Sequence, residues 1–410
     1  MPGTAVLPQL DYEHLGDPEE AHRVIARARA RSPIAMGAHG PELLTYDLVR
    51  AVLRDDRFVV PPGFGLPAQG ISSGPLWDRA VSSLLCLDGA EHHRLRKLVA
   101  KTFTPKSAAR MQDACVAVIG ELLAAHTATG QCDVVEDIAR PYPVPIICAL
   151  LGAPRQDWAK FSAWADDVLR LFSWEAAASA DDILRAWAEL DDYIDAMVDD
   201  RRDSLTDDLL SDLIRAEVDG DRLTRADLRM LAGGLLMAGT DTTRNQLAAA
   251  VEALCDHPDQ WELLAARPEL ARAAAEELTR ARPIVFTTLR VATEDVELAG
   301  YRIEAGTLVL ANTAAANRDP AVYPDPDRID ITREDAPAML TFGGGIHYCL
   351  GVHLAKLELA EALSAITRQL PCPRRTADVQ WKPLSGITGP LHLPVRFSTT
   401  EAQDATLLSW

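Results

Sequence analysis

The segment from Phe342 to Gly351 reads Phe-Gly-Gly-Gly-Ile-His-Tyr-Cys-Leu-Gly and leads into a predicted amphipathic helix from Leu354 to Leu370. Successive glycines let the backbone come very close to something flat or large, because they carry no side chain. Cys349 lies just before the helix, where free amide groups and the helix dipole lower the pKa of a thiol. The segment therefore predicts a thiolate that acts as a ligand.

The composition narrows the class of protein around this segment. The 410 residues are 48% hydrophobic and 25% charged, which is typical of a mostly helical globular protein with a large core. The net charge of -19 argues against a partner such as duplex nucleic acid. We find no leader-like N-terminus and no apolar segment long enough to cross a bilayer, so we expect no membrane association and a cytoplasmic protein.

The cysteines are scattered singly along the chain. They number seven and form no CxxC pair, a pattern that fits neither a zinc site nor a disulfide framework. Apart from the cysteine of the glycine-rich segment, we expect most of them to be small buried hydrophobic residues. The full set is Cys86, Cys115, Cys132, Cys148, Cys255, Cys349 and Cys372.

No linker, low-complexity stretch or internal repeat divides the chain, which favours one domain over residues 1–410. The longest predicted helix begins at the N-cap Thr224, has Asp227 in capping-box position, and ends at His257 before a proline. It is apolar on almost every side and would span roughly 50 Å, so we expect it to run through the centre of the fold. Strands are predicted at 43–46, in a β-rich part at about 30–60, and as a pair within 296–309.

A pattern of four residues identifies the glycine-rich segment. Phe-x-x-Gly-x-x-x-Cys-x-Gly, matched at Phe342, Gly345, Cys349 and Gly351, resembles the haem-binding signature of the cytochromes P450. Further similar segments, in the expected order, cover most of residues 86–397. The resemblance implies a mainly α fold with small β-sheets, a triangular helical domain with a long central helix. It also implies haem b (iron protoporphyrin IX) bound through 342–351, with Cys349 as the iron ligand, a thiolate that favours O–O cleavage.

The long helix carries the second similar segment, Ala238-Gly239-Thr240-Asp241-Thr242-Thr243. Glycine and short polar side chains are costly inside a helix, so burying them needs a reason. By resemblance, Ala238 lies beside the haem, Thr242 hydrogen-bonds bound dioxygen and Asp241 supplies protons to it. The alternative is a helix kink with back-bonded threonines, and Thr243 fits either interpretation.

A third similar segment, Glu277-Leu278-Thr279-Arg280, places an acid and a base on one helical face. In the family such a pair binds a downstream arginine and supports the cysteine loop. Here the resemblance assigns that place to Arg328. The aromatic residue that usually follows it is Ile329, which departs from the family pattern.

Haem propionates are carboxylates that need cations and hydrogen-bond donors when buried. His92 and Arg96 stand four apart and so share one helix face. By resemblance they bind the propionates together with Arg290 and His347.

The implied reaction is monooxygenation, the hydroxylation or epoxidation of a small apolar or heterocyclic natural product with dioxygen and two electrons. The chain has no flavin, nucleotide or iron–sulfur signature, so we expect ferredoxin and ferredoxin reductase as electron donors. A basic cluster on this acidic chain, Arg94, Lys97 and Lys101, is our hypothesis for the ferredoxin docking site.

The substrate pocket is the least determined part. Family geometry suggests walls from a Pro- and Gly-rich loop after residue 61 and from several distant segments. The candidate residues are Phe64, Gln69, Phe172, Met237, Ala238, Ile284, Phe286, Thr287, Ile387 and Thr388. The same motifs would serve radical coupling or desaturation without oxygen insertion. A peroxide-driven enzyme is disfavoured by the intact Asp241-Thr242 pair, and a haem sensor or ligand carrier is the non-catalytic alternative.

Overall fold

The structure is a computed structural model that describes residues 7–63, 65–172, 176–218 and 220–398. Its helices are α1 (Pro18–Arg29), α2 (Tyr46–Val52), α3 (Pro75–Val81), α4 (Gly89–Val99), α5 (Pro105–Ala109), α6 (Gln112–Ala124), α7 (Pro143–Leu151), α8 (Trp158–Leu169), α9 (Ala180–Asp203), α10 (Leu209–Arg215), α11 (Arg225–Asp256), α12 (Pro258–Ala266), α13 (Ala271–Ala281), α14 (Thr313–Ala316) and α15 (Val352–Gln369).

The strands are short, and none of those described is longer than six residues. They are β1 (Ile34–Met36), β2 (Pro41–Leu43), β3 (Phe58–Val59), β4 (Gln131–Asp133), β5 (Glu217–Val218), β6 (Asp221–Arg222), β7 (Thr287–Ala292), β8 (Val296–Leu298), β9 (Tyr301–Ile303), β10 (Leu308–Asn312), β11 (Arg374–Arg375) and β12 (Pro394–Arg396). The largest sheet has the order β1-β2-β10-β7-β3, in which only β2 and β10 are parallel. The mainly α fold with small sheets is confirmed.

The predicted central helix is α11. Its capping box is present: Thr224 Oγ1 accepts from the Asp227 backbone N–H at 3.1 Å, and the Asp227 carboxylate accepts from the Thr224 N–H at 2.8 Å. The helix packs against α7, α8, α9 and α15, and most of its side chains are buried. Its position between these layers places residues 238–243 deep inside the molecule.

Two strand predictions need correction. Residues 44–46 are not a strand, because Thr45 is the N-cap of α2 and the Tyr46 N–H donates to the Asp319 carboxylate at 2.9 Å. The segment 296–309 forms a hairpin, β8 with β9, and the beginning of a third strand, β10, since Gly300 and Gly306 each turn the chain at positive φ. The helix after the cysteine loop begins at Val352, two residues earlier than predicted.

Within the described ranges, no helix combines the length and the apolar character that crossing a bilayer requires.

Candidate functional site

The cysteine loop is held in shape by its own backbone and by α2. The Cys349 N–H donates to the Phe342 carbonyl at 2.9 Å, which closes the loop. Gly345 has a φ of +64°, and a Cβ there would lie 2.3 Å from the Leu53 carbonyl oxygen. Only glycine fits this close approach, so Gly345 fastens the loop to the end of α2.

The surroundings of Cys349 correct the expectation that its thiol is acidic. Burial raises the pKa of Cys349, and this outweighs the opposing effects of the Gly351 N–H and the Arg96 guanidinium. The helix α15 begins only at Val352, three residues beyond the sulfur. A metal cation deprotonates a thiol that coordinates it, so Cys349 would become a thiolate on binding a metal and not through the helix end alone.

The four residues predicted to bind propionates come together beside this loop. The rings of His92 and His347 lie 4.4 Å apart, and Arg96 donates to the Tyr348 carbonyl at 2.5 Å. Arg290 is 3% exposed and close enough to His347 for their charges to interact. Residues from α4, β7 and the cysteine loop thus converge on one location, as the resemblance implied.

This cluster contains more positive charge than its surroundings neutralise. Within the described part of the chain, neither Arg96 nor Arg290 forms an ion pair with a carboxylate, and Arg290 donates only to the Leu289 carbonyl. Burial lowers the pKa of both guanidinium groups, and it lowers that of His92 to about 4. The buried His92 Nδ1 finds no hydrogen-bond partner among the residues that the structure describes. Unpaired buried donors of this kind fit the carboxylates of a haem.

One acidic residue in the cluster was missed by the sequence analysis. Asp88, the residue before α4, binds His347 Nε2 at 2.8 Å and accepts from the Val60 N–H at 3.0 Å. It orients the His347 ring and ties the strand region to the cysteine loop. Its position as helix N-cap, four residues before His92, was the only sequence signal available.

The middle of α11 opens onto a space. Ala238 is exposed although its helix is buried on both sides, and Gly239, Asp241 and Thr242 are partly exposed. A Cβ at Gly239 would lie 2.9 Å from Ile147 Cδ1, which explains the glycine by close packing against α7. An exposed small residue inside a central helix is consistent with a flat group beside it.

The threonines of this segment are back-bonded, as the alternative interpretation required. Thr240 donates to the Leu236 carbonyl and Thr242 to the Ala238 carbonyl, each at 2.6 Å. The hydroxyl oxygen of Thr242 keeps its lone pairs and can accept a proton from a neighbour. Thr243 points the other way and donates to Glu358 on α15 at 3.3 Å.

Asp241 is held from one side. Its Oδ1 accepts from Asn245 Nδ2 at 2.9 Å and lies 3.2 Å from Arg244 Nε. No hydrogen bond to its Oδ2 occurs among the residues described. Among these residues, the carboxylate is therefore anchored through Oδ1 alone.

The ion pair beneath the cysteine loop has a different third member from the predicted one. Arg280 binds both carboxylate oxygens of Glu277, at 2.7 and 2.8 Å, and Arg333 Nε lies 3.2 Å from each of them. The prediction of Arg328 for this place is wrong: its side chain is 68% exposed and, among the described residues, pairs with Asp330 and not with Glu277. It contributes its backbone carbonyl, which accepts from Arg280 and Arg333.

The hypothesis that Arg94 docks a ferredoxin also needs correction. Its guanidinium already pairs with Glu91, Asp221 and Asp227, at 2.8, 3.3 and 3.0 Å. These bonds tie α4 to the start of α11, so the charge is neutralised within the molecule. A cleft of about 790 Å³ lies instead on the outer face of the cysteine loop, where it is lined by Arg50, Arg54 and residues 337–340.

The candidate pocket residues divide into three groups. Phe64 lies outside the described residues, as does the side chain of Phe172. Ala238, Thr287 and Ile387 keep exposed surface, whereas Gln69 accepts from the Ala177 N–H at 3.3 Å. Core packing accounts for the side chains of Met237, Ile284, Phe286 and Thr388, each at most 4% exposed.

Two of these core positions have clear physical reasons. The ring of Phe286 stacks on Tyr12 and His22, at 5.8 and 5.2 Å between centroids. Thr388 donates its hydroxyl to the Lys382 carbonyl at 2.9 Å. Both side chains are thus buried against other residues of the chain, so they are unsuited to contact a substrate.

Comparison with known proteins agrees with this geometry. The family model described as Cytochrome P450 matches residues 78–370. The luteothin monooxygenase of Streptomyces thioluteus is 38% identical over 409 residues, 97% of each chain. The mycinamicin IV hydroxylase/epoxidase of Micromonospora griseorubida is 40% identical and covers 85% of this chain and 87% of its own. The crystal structure of CalO2, 31% identical, superposes with a TM-score of 0.86 over 95% of this chain and 98% of that one.

Proposed function

The chain belongs to the cytochrome P450 family and is a monooxygenase, and we propose that it hydroxylates or epoxidises a small, largely apolar natural product. One atom of dioxygen enters the product and the other leaves as water, with two electrons supplied from outside the chain. Two similar enzymes are named for such compounds, luteothin and mycinamicin IV. The substrate of this chain is proposed to belong to the same broad class, apolar or heterocyclic molecules of medium size.

The observation that carries this proposal is the convergence of Cys349 with four cationic or hydrogen-bonding groups that share a single carboxylate, Asp88. A buried excess of positive charge next to a thiol needs a ligand that brings both carboxylates and a metal ion. Haem b has this combination. We therefore assign the haem iron to Cys349 and the propionates to His92, Arg96, Arg290 and His347.

When bound, the haem supplies dioxygen activation and the oxidising power for attack on an unactivated C–H bond. The chain holds and moves the protons. In the proposed relay, Thr242 Oγ1 accepts a proton from Asp241 Oδ2 while its hydroxyl turns from the Ala238 carbonyl and releases its own proton toward the dioxygen site. Thr242 stays neutral, and Asp241 regains a proton from solvent. Ala238, Thr287 and Ile387 form the proposed apolar wall against which the substrate is oriented.

We propose ferredoxin and a ferredoxin reductase as the electron donors, and a cytoplasmic location where reduced nicotinamide is available to them. The proposed docking surface is the cleft beside Arg50 and Arg54, because it adjoins Tyr348, the residue next to the iron ligand. In the described part of the chain these two arginines form no ion pair with a carboxylate. Their charge is thus available to an acidic partner on a chain with a net charge of -19.

The test is the absorption spectrum of the reduced, carbon monoxide-bound protein. We expect a thiolate-type spectrum for the parent and for Cys372→Ser, which changes an exposed cysteine, and its loss in Cys349→Ser. A thiolate-type spectrum that persists in Cys349→Ser would refute the ligand assignment. A spectral screen of a compound library then seeks the substrate, and labelled dioxygen distinguishes oxygen insertion from coupling or desaturation, in which no label enters the product.

A further inference from the structure

A lysine from the C-terminal part of the chain reaches the middle of α11. Lys382 Nζ donates to Asn245 Oδ1 at 3.0 Å, across 137 residues of sequence. The side chain is partly buried, and burial lowers the pKa of its amine, while the charge of Asp241 opposes this effect. Burying an ammonium group costs free energy unless it is hydrogen-bonded or paired. The hydrogen bond from Lys382 to Asn245 offsets part of this cost.

The amide of Asn245 can take only one orientation here. Its oxygen must face the Lys382 ammonium, which has no acceptor, and its NH₂ group then faces Asp241. The NH₂ group donates to Asp241 Oδ1 at 2.9 Å and to the Asp241 backbone carbonyl at 2.7 Å. A Cβ at Gly389 would lie 2.5 Å from Asn245 Oδ1, so the opposing backbone confines the amide. Asn245 itself is 4% exposed.

Lys382 is fastened at its backbone as well. Its N–H donates to the Gly389 carbonyl at 3.0 Å, and its carbonyl accepts from the Thr388 hydroxyl at 2.9 Å. The same turn carries Ile387, one of the proposed substrate-wall residues. The lysine therefore joins this wall to the helix that carries Asp241.

Other charges near Asp241 do not take over this role. Arg244 Nε lies 3.2 Å from Asp241 Oδ1 but forms no hydrogen bond with it, and Arg244 also pairs with Asp166 on α8. Arg140 pairs with Asp166 too, at 3.4 Å. Within the described residues, the Asn245 amide is the only side-chain hydrogen-bond donor to the Asp241 carboxylate.

We propose that Lys382 is a positioning residue for the proton relay: it locks the Asn245 amide, which holds Asp241 Oδ1 and leaves Oδ2 to carry the proton. The inference rests on the proposed function, in which Asp241 supplies protons to dioxygen. Lys382 does not transfer the proton itself, because an amide between it and Asp241 is a poor proton carrier. Its loss lets the amide rotate and lets the carboxylate leave its working orientation.

The experiment measures oxygen consumption with NADPH, ferredoxin reductase and ferredoxin, without added substrate. Under these conditions O₂ takes up two electrons and two protons to give H₂O₂, so proton delivery is still required. We expect Lys382→Met to slow oxygen consumption about two- to tenfold, the effect of one lost hydrogen bond, and to raise the solvent deuterium isotope effect. Lys382→Arg, which keeps a donor, is expected to restore both. The control is Lys160→Met, a change at an exposed lysine whose ammonium pairs with Asp157.

A second readout does not depend on turnover. In protein labelled with ¹⁵N-asparagine, the side-chain NH₂ resonance of Asn245 is assigned from its absence in Asn245→Ser. We expect slow hydrogen exchange of this group in the parent and in Lys382→Arg, and fast exchange in Lys382→Met. Unchanged exchange in Lys382→Met, or changed exchange with parent oxygen consumption and isotope effect, would overturn the proposal.

Asp241→Asn separates this inference from the proposed function. If it consumes oxygen like the parent, the role of Asp241 as proton donor is wrong, and the positioning role falls with it. If it is slow while Lys382→Met behaves like the parent, the relay remains and only the role of Lys382 is refuted.

Discussion

Two buried clusters of arginines flank the cysteine loop, and they differ in whether their charges are paired. In the first, Arg280 and Arg333 surround Glu277, and backbone carbonyls accept their remaining donors. In the second, Arg96 and Arg290 stand with two histidines, and Asp88, beside Arg290 and His347, is the one carboxylate that the described residues place there. Both occupy positions that water reaches poorly.

The comparison shows that the pairing of buried charges distinguishes a structural cluster from a ligand-binding one. Buried ions are stable only when their partners are present, and a cluster complete within the chain has its partners in every state of the protein. A cluster that lacks its anion has a reason to bind one. We therefore interpret the Glu277 cluster as a structural support and the Arg290 cluster as the proposed binding site for the propionates.

The largest expected effect comes from breaking the complete cluster. Glu277→Gln leaves Arg280 and Arg333 buried without a carboxylate, which we expect to lower the free energy of unfolding by about 3–5 kcal/mol. Urea unfolding of the haem-free and haem-loaded protein measures it. Because the Glu277 ion pairs form within the chain, the haem-free and the haem-loaded protein should both lose stability. The control Glu269→Gln removes an exposed ion pair with Arg267 and is expected to cost at most about 0.5 kcal/mol.

A buried acid to which the described residues give no cationic partner adds a third case to the comparison. Glu358 is 1% exposed, its carboxylate accepts from Thr243 alone among those residues, and burial raises its pKa to about 8. Between pH 4.5 and 8 the unfolded chain releases this proton and the folded chain keeps it, so stability falls as pH rises through that window. Glu358→Gln removes this loss, and we expect it to be more stable than the parent by roughly 3 kcal/mol at pH 7.

Unfolding in urea at a series of pH values tests this. Below the pKa of an unfolded glutamate the two proteins should be equally stable, since Glu358 is then neutral in both states. An equal slope of stability against pH in the parent and Glu358→Gln would contradict the account.

In the cluster of Arg96 and Arg290, one substitution is expected to stabilise the haem-free protein and to weaken haem binding. Arg290→Leu removes an unpaired buried cation and is expected to stabilise the haem-free protein by about 1–3 kcal/mol. The same change removes a proposed propionate partner, so haem should transfer faster to an apo-globin acceptor. Arg302→Leu, at an exposed ion pair on β9, is the matched control and should change neither. Destabilised haem-free Arg290→Leu would show that the charge is paired after all.

The smallest expected effect tests whether Arg333, and not Arg328, is the third member of the Glu277 cluster. Arg328→Ala removes an exposed side chain and is expected to change the free energy of unfolding by less than about 0.5 kcal/mol. Arg333→Ala, by contrast, deprives Glu277 of a partner and three carbonyls of a donor, so it should cost clearly more. Equal effects of the two substitutions would restore the original assignment.

The sequence alone determined the features that depend on residues close together in the chain. The capping box at Thr224 and Asp227 is set by a spacing of three residues, and the long helix behind it by its apolar content. The loop from Phe342 to Gly351 is recognisable because the glycine-rich turn, the cysteine and the following helix are consecutive. His92 and Arg96 share a face because they are four residues apart.

Only the tertiary structure decided which distant side chains meet. Arg333 and Arg328 are equally plausible partners of Glu277 in the sequence, and their separation on opposite sides of a turn appears only in the fold. Lys382 with Asn245, Asp88 with His347, and Phe286 with His22 are likewise contacts across more than a hundred residues. Local periodicity places a side chain on one face of its own element, and the packing of that element decides what the face contacts.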